Sequence, residues 1–146
     1  MVKSAGTPLG KGLAILGMAL IWFPIFFTLL TSAVGSIRSR AFHLDYLMPA
    51  ELFPAALVGA LLIVWTALRA RERRMPVTVS AAAMVLFFAC VLLIPVVTGL
   101  ASGQAAPEGW PWALTILSLA LYTAAMILTG VLGALVVRDL FRKARP

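Results

Sequence analysis

The segment Val77–Leu100, VTVSAAAMVLFFACVLLIPVVTGL, contains 24 residues and no charged side chain. A bilayer-spanning helix needs roughly 17–25 predominantly apolar residues, so this segment is long enough to cross a membrane. Three further stretches have the same character, at 12–34, 50–68 and 112–137, and none has a charged residue in its central part. In lipid each span must satisfy its own backbone hydrogen bonds, and barrel strands would alternate in polarity. The sequence therefore predicts an all-α integral membrane four-helix bundle.

The composition agrees with a single transmembrane domain over residues 1–146. The chain is 62% hydrophobic and 12% charged, whereas soluble domains have about 45–50% apolar and about 25% charged residues. Cys90 is the only cysteine and His43 the only histidine, which excludes an internal disulfide and a bis-histidine haem. We expect no bound metal and no cofactor. The first span exceeds the roughly 7–15-residue core of a secretory signal, so we expect it to remain as an uncleaved helix.

Basic residues predict the orientation of the chain, because they concentrate on the cytoplasmic side of membrane proteins. Both termini, the loop 69–76 and the tail 138–146 are predicted to be cytoplasmic, and the loops 35–49 and 101–111 are predicted to lie outside. The net charge of +7 is explained by this topology, so no nucleic-acid partner is expected. A bacterial inner membrane is the expected location. The residues assigned to topology and to contacts with lipid headgroups are Arg69, Arg71, Arg73, Arg74, Arg138, Arg142, Lys143 and Arg145.

The two halves of the chain share a pattern. Pro24 is followed by Thr28 in the first span, and Pro95 is followed by Thr98 in the third. Both prolines are predicted to kink their helices, since a mid-helix proline removes a backbone hydrogen bond. The pattern suggests a duplication of two helical hairpins. The alternative is coincidence, because prolines occur at such places in many membrane helices.

Small residues recur at four-residue spacing, which lets helix backbones approach closely. The pattern fits packing inside one chain as well as contact with a partner. The residues predicted to serve helix packing are Ala55, Gly59, Ala120, Ala124, Gly130 and Ala134.

The segment Phe42–Phe53, FHLDYLMPAELF, contains the only candidates for catalysis: His43, Asp45 and Glu51. They offer one imidazole and two carboxylates, but no nucleophile or oxyanion-stabilising group is visible beside them. The alternative interpretation is a polar loop, with Glu51 in the first turn of the second span.

The stretch Leu52–Leu62, LFPAALVGALL, which leads to Ala67-Leu68-Arg69, resembles the second helix of the small membrane subunit of tripartite tricarboxylate transporters. That family also has four spans. The resemblance covers about one span, and the glycine-rich turn expected before the Phe-Pro pair is here replaced by residues 48–51, MPAE. We therefore assign no family membership.

Three functions remain open. The favoured one is a non-catalytic accessory or self-associating subunit of a membrane complex, with the bilayer and a membrane-protein partner or a second copy as its contacts. The second is an oligomeric transporter or channel subunit. The third is a small membrane enzyme that acts on a lipid-like substrate at the outer face through His43, Asp45 and Glu51.

Overall fold

The computed structural model describes residues 8–39, 52–71, 73–103, 106 and 108–142. These residues form four helices and no strand: α1 Pro8–Ser39, α2 Phe53–Ala70, α3 Arg74–Val97 and α4 Gly109–Arg142. All four are long and apolar enough to cross a membrane. The predicted all-α membrane fold with four helices is thus confirmed, and the chain has the architecture of a small polytopic membrane protein.

The helices differ in extent from the apolar spans. α1 and α4 continue past their spans at both ends, to Ser39 and Arg142 at their C-terminal ends. α3 stops at Val97, before the end of its apolar stretch. There Gly99 adopts a φ of +76° and its N–H donates to the Val96 carbonyl at 3.4 Å, a typical glycine termination of a helix.

The four helices pack so that sequential helices are antiparallel. α1 packs mainly on α2 and α3 mainly on α4, and α4 also contacts α1 and α2. Lys11 near the start of α1 lies over the ring of Phe141 near the end of α4, and Arg73 just before α3 pairs with Asp139 of α4. The start of α1, the turn between α2 and α3, and the end of α4 therefore share one end of the bundle.

The core lies between these four helices and is small. Its largest fully buried side chains come from all four: Ile21, Ile63, Met84, Val77, Val136 and Thr129. Most other large apolar side chains are exposed at the bundle surface. This distribution suits a bilayer, where lipid tails solvate apolar side chains as well as a protein core does.

Both mid-span prolines lie inside helices, Pro24 in α1 and Pro95 in α3. The Thr98 hydroxyl donates to the carbonyl of Ile94 at 2.7 Å. The carbonyl that Pro95 leaves without a donor is a different one, that of Val91, four residues before the proline. The kinks at Pro24 and Pro95 and the duplication of the hairpins stay predictions.

Candidate interaction sites of the bundle

The catalytic candidates His43, Asp45 and Glu51 lie outside the described residues, so their prediction stays untested. In the ranges that the structure does describe, no group of three His, Cys, Asp or Glu side chains is placed to hold a metal ion. The described residues do show contacts between helices and large apolar side chains exposed at the bundle surface.

Several hydroxyls within the spans donate to carbonyls of their own helices. Thr66, buried in α2, donates to the Leu62 carbonyl at 2.7 Å, and Thr129, buried in α4, donates to the Ala125 carbonyl at 2.8 Å. Ser80 makes the same kind of bond at 3.0 Å. These bonds satisfy the donors of the three side chains within their own helices.

Three glycine contacts bring the helices together. A Cβ placed on Gly59 of α2 would lie 2.8 Å from the Gly17 carbonyl oxygen of α1. A Cβ on Gly130 of α4 would lie 3.3 Å from atoms of both Ile21 and Trp22. Gly133, one turn further along α4, faces the side chain of Ile63. A larger residue at Gly59 would meet backbone, whereas at Gly130 and Gly133 it would require neighbouring side chains to shift.

Some of the predicted packing residues lie at least partly inside the bundle, and the others lie on its surface. Gly59 and Gly130 are buried inside the bundle, and Ala55 and Ala134 are half-buried. Ala120 and Ala124 are exposed on α4, so no other helix that the structure describes covers them. Gly17 and Gly133, which were not predicted, are both buried. Neither has a small residue four positions away among the predicted packing residues, so the spacing pattern does not indicate them.

Ala120 and Ala124 belong to a regular row on the exposed surface of α4. The row advances by alternating steps of four and three residues, and all its members are exposed. Its members, named here the α4 stripe, are Ala113, Leu117, Ala120, Ala124, Ile127 and Val131. Half of the stripe is alanine, whereas the exposed residues of α3 from Val79 to Val97 are valine and leucine with the single exception of Ala82.

Charged side chains concentrate at the end of the bundle where the start of α1 meets the end of α4. This region is named here the basic end. Asp139 is the one carboxylate of the described residues at this end, and its Oδ2 accepts from Arg73 Nε at 3.0 Å. Seven basic residues that the structure describes belong to this end: Lys11, Arg69, Arg71, Arg73, Arg74, Arg138 and Arg142. Lys143 and Arg145 lie outside the described residues.

Two of these arginines have an unusual backbone. Arg71 has a φ of +57° and Arg73 a φ of +48°, both in the left-handed region. A residue with a Cβ is disfavoured there by about 1–2 kcal/mol. The tight turn between α2 and α3 is therefore formed at a conformational cost, and the ion pair with Asp139 helps to hold it.

An aromatic cluster joins α2, α3 and α4 away from the basic end. Phe53 and Phe88 stack with ring centroids 3.5 Å apart, and Tyr122 lies at an angle to both, 5.5 Å from Phe88. The Tyr122 hydroxyl points to the Met126 sulfur at 3.7 Å. The cluster therefore connects the three helices at this level of the bundle.

Comparison with protein-family models, with curated proteins and with solved structures finds no match for this chain. The function proposed below is therefore derived from the residues and geometry of the chain itself.

Proposed function

We propose that this protein is a non-catalytic component of a membrane assembly, and that its copies associate with one another through the α4 stripe. The proposed location is a bacterial inner membrane, with both termini in the cytoplasm. A role as accessory subunit of a larger complex is compatible with the same surface.

The composition and spacing of the α4 stripe support this proposal. Lipid tails offer little hydrophobic driving force for helix association, so helices associate through close packing, which small residues allow. Ala113, Ala120 and Ala124 provide such a surface on the outside of the bundle. Contact with lipid alone would not require small residues there, because lipid tails solvate larger apolar side chains equally well. The alternating steps of four and three residues are those of a coiled-coil seam.

The partner that best fits the α4 stripe is a second copy of this chain. Copies inserted in the same orientation present α4 parallel to α4, and a two-fold axis along the membrane normal places each residue of the stripe opposite its counterpart. A row with a mean spacing of three and a half residues then stays in contact as the two helices wind around each other. The stripe is complementary to itself in this arrangement.

The transporter or channel alternative lacks comparable support. Proton- or ion-coupled transport commonly uses ionisable groups in the middle of the membrane, and the central parts of the four spans contain none. Within the described residues, the buried hydroxyls of Thr66, Ser80 and Thr129 are bonded to their own helices.

Purification in mild detergent, with the mass measured by light scattering, tests the proposal. We expect a dimer for the unmodified protein and a monomer for the double variant Ala120→Phe, Ala124→Phe, because bulky rings separate the two α4 backbones. The matched control is Ala82→Phe on the exposed face of α3, which should leave the dimer intact. A different protein in stoichiometric amount would favour the accessory-subunit role, and a lone monomer under all conditions would contradict the proposal.

The orientation is tested separately by reporters that are active on only one side of the membrane. A reporter fused after Arg74 should be cytoplasmic, and one fused after Gly103, in the turn that follows α3, should lie on the outer side. The reverse result would invert the proposed topology but would leave the α4 stripe unaffected.

A further inference from the structure

Trp65 and Arg69 form an exposed pair on α2. The guanidinium carbon of Arg69 lies 4.8 Å from the centroid of the Trp65 ring. The two residues are one helical turn apart and both are exposed, Trp65 to 54%. A large aromatic ring and a cation that lie together on the surface of a membrane helix, near its end, are typical of the headgroup level of the bilayer.

The contact with the Trp65 ring restrains the position of the Arg69 guanidinium group. A guanidinium that lies on an aromatic face keeps its N–H groups at its edge, where they can donate two parallel hydrogen bonds to an oxyanion. Within the described residues, Arg69 makes no ion pair, since the one salt bridge there joins Arg73 to Asp139. Its donors are thus not taken by a carboxylate of the described residues.

The surroundings of Arg69 favour an anion. Arg69 is in the last turn of α2, at the basic end. The one described carboxylate of that end, Asp139, already pairs with Arg73. Each basic residue near an anionic membrane surface contributes to the attraction of negatively charged lipids, so a phosphate group at this depth meets a positive potential from several helices.

We propose that Trp65 and Arg69 form a binding site for the phosphodiester headgroup of an anionic phospholipid. Arg69 donates from the edge of its guanidinium to two phosphate oxygens, and the Trp65 ring holds the guanidinium plane and lies against the glycerol region. The site differs from a diffuse positive surface because it requires the planar, stacked group as well as its charge. It is independent of the proposed association through α4.

Native mass spectrometry of the full chain, with phosphatidylglycerol titrated into detergent at about 0.15 M ammonium acetate, tests this site; at this ionic strength distant charges are largely screened. Arg69→Lys keeps the charge but loses the planar fork, and Trp65→Leu loses the stack. We expect either variant to bind phosphatidylglycerol about fivefold more weakly. Trp65→Phe, which keeps a ring, should recover most of the affinity. The matched control is Arg74→Gln, which removes an exposed charge at the same end and should change the affinity by less than about twofold.

Three results would overturn the proposal. Unchanged affinity of Arg69→Lys together with a loss in Arg74→Gln would show diffuse electrostatics only. Equal binding of phosphatidylcholine would remove the preference for an anionic lipid. Displacement of the lipid by millimolar inorganic phosphate would identify a free phosphate as the ligand. Circular dichroism of each variant shows whether it is folded. If Trp65→Leu does not fold, Arg69→Lys and Trp65→Phe still test the site.

Discussion

Gly17 of α1 and Gly59 of α2 pack backbone against backbone. A Cβ on Gly59 would lie 2.8 Å from the Gly17 carbonyl oxygen, and a Cβ on Gly17 would lie 3.0 Å from the Gly59 carbonyl oxygen. Because backbone atoms cannot move aside as a flexible side chain can, this pair sets how closely α1 and α2 approach. The burial of Ile21 and Ile63 on either side depends on that approach.

Substitution of Gly59 by alanine should therefore destabilise the bundle. The new methyl group collides with backbone, and we expect a loss of about 1–3 kcal/mol in the free energy of unfolding, measured by denaturant titration in micelles. Gly12→Ala is the matched control on α1, since a Cβ there meets nothing within 4 Å. It should be neutral or stabilising by up to about 1 kcal/mol, as expected for glycine to alanine in a helix. Equal effects at Gly59 and Gly12 would contradict the close approach.

Gly133 of α4 faces a side chain, whereas Gly59 faces backbone. A second substitution that shortens this side chain should therefore compensate for a larger residue at Gly133. A Cβ on Gly133 would clash with the terminal methyl group of Ile63, which is fully buried. Gly133→Ala should cost about 1–3 kcal/mol and Ile63→Val about 0.5–1.5 kcal/mol. The double variant should cost about 1 kcal/mol less than the sum, because Ile63→Val removes the clashing methyl group. Strictly additive losses would show that the two residues do not touch.

The left-handed backbone conformation of Arg71 predicts that glycine at this position stabilises the folded protein. Its φ of +57° is accessible to glycine without steric cost, so Arg71→Gly should raise the free energy of unfolding by about 0.5–1 kcal/mol after the entropy of glycine is taken into account. Arg73→Gly should gain less, since it also loses the ion pair with Asp139. Thermal unfolding of both variants measures the difference. As a control, Ala82→Gly on the exposed face of α3 should destabilise by about 1 kcal/mol, and a similar loss in Arg71→Gly would refute the strained turn.

The number and kind of the helices were predictable, because a long charge-free stretch such as Val77–Leu100 has one stable form in lipid. Their ends were less predictable. Hydropathy marks where the chain leaves the hydrocarbon, whereas α1 and α4 continue beyond that point. The early end of α3 depends on the left-handed conformation of Gly99.

The packing contacts were predictable only in part. Spacing identified Gly59 and Gly130, which are buried, but it identified Ala120 and Ala124 equally, which are exposed. Four-residue spacing places two small residues on one face of a helix without saying what covers that face. The pair Arg73 and Asp139 joins residues 66 positions apart, and no local pattern in a sequence indicates such a contact.

Association of two copies through the α4 stripe is tested most directly by cysteine cross-linking in intact membranes. With Cys90→Ser as background, single cysteines are placed at Ala120 or Ala124 on the stripe and at Ala82 on α3. Parallel α4 helices in contact bring equivalent positions within the range of about 4.4–6.8 Å between Cα atoms that a disulfide requires. We predict oxidised dimers for Ala120→Cys and Ala124→Cys and none for Ala82→Cys. No dimer at either stripe position, or equal dimer at Ala82, would contradict association through α4.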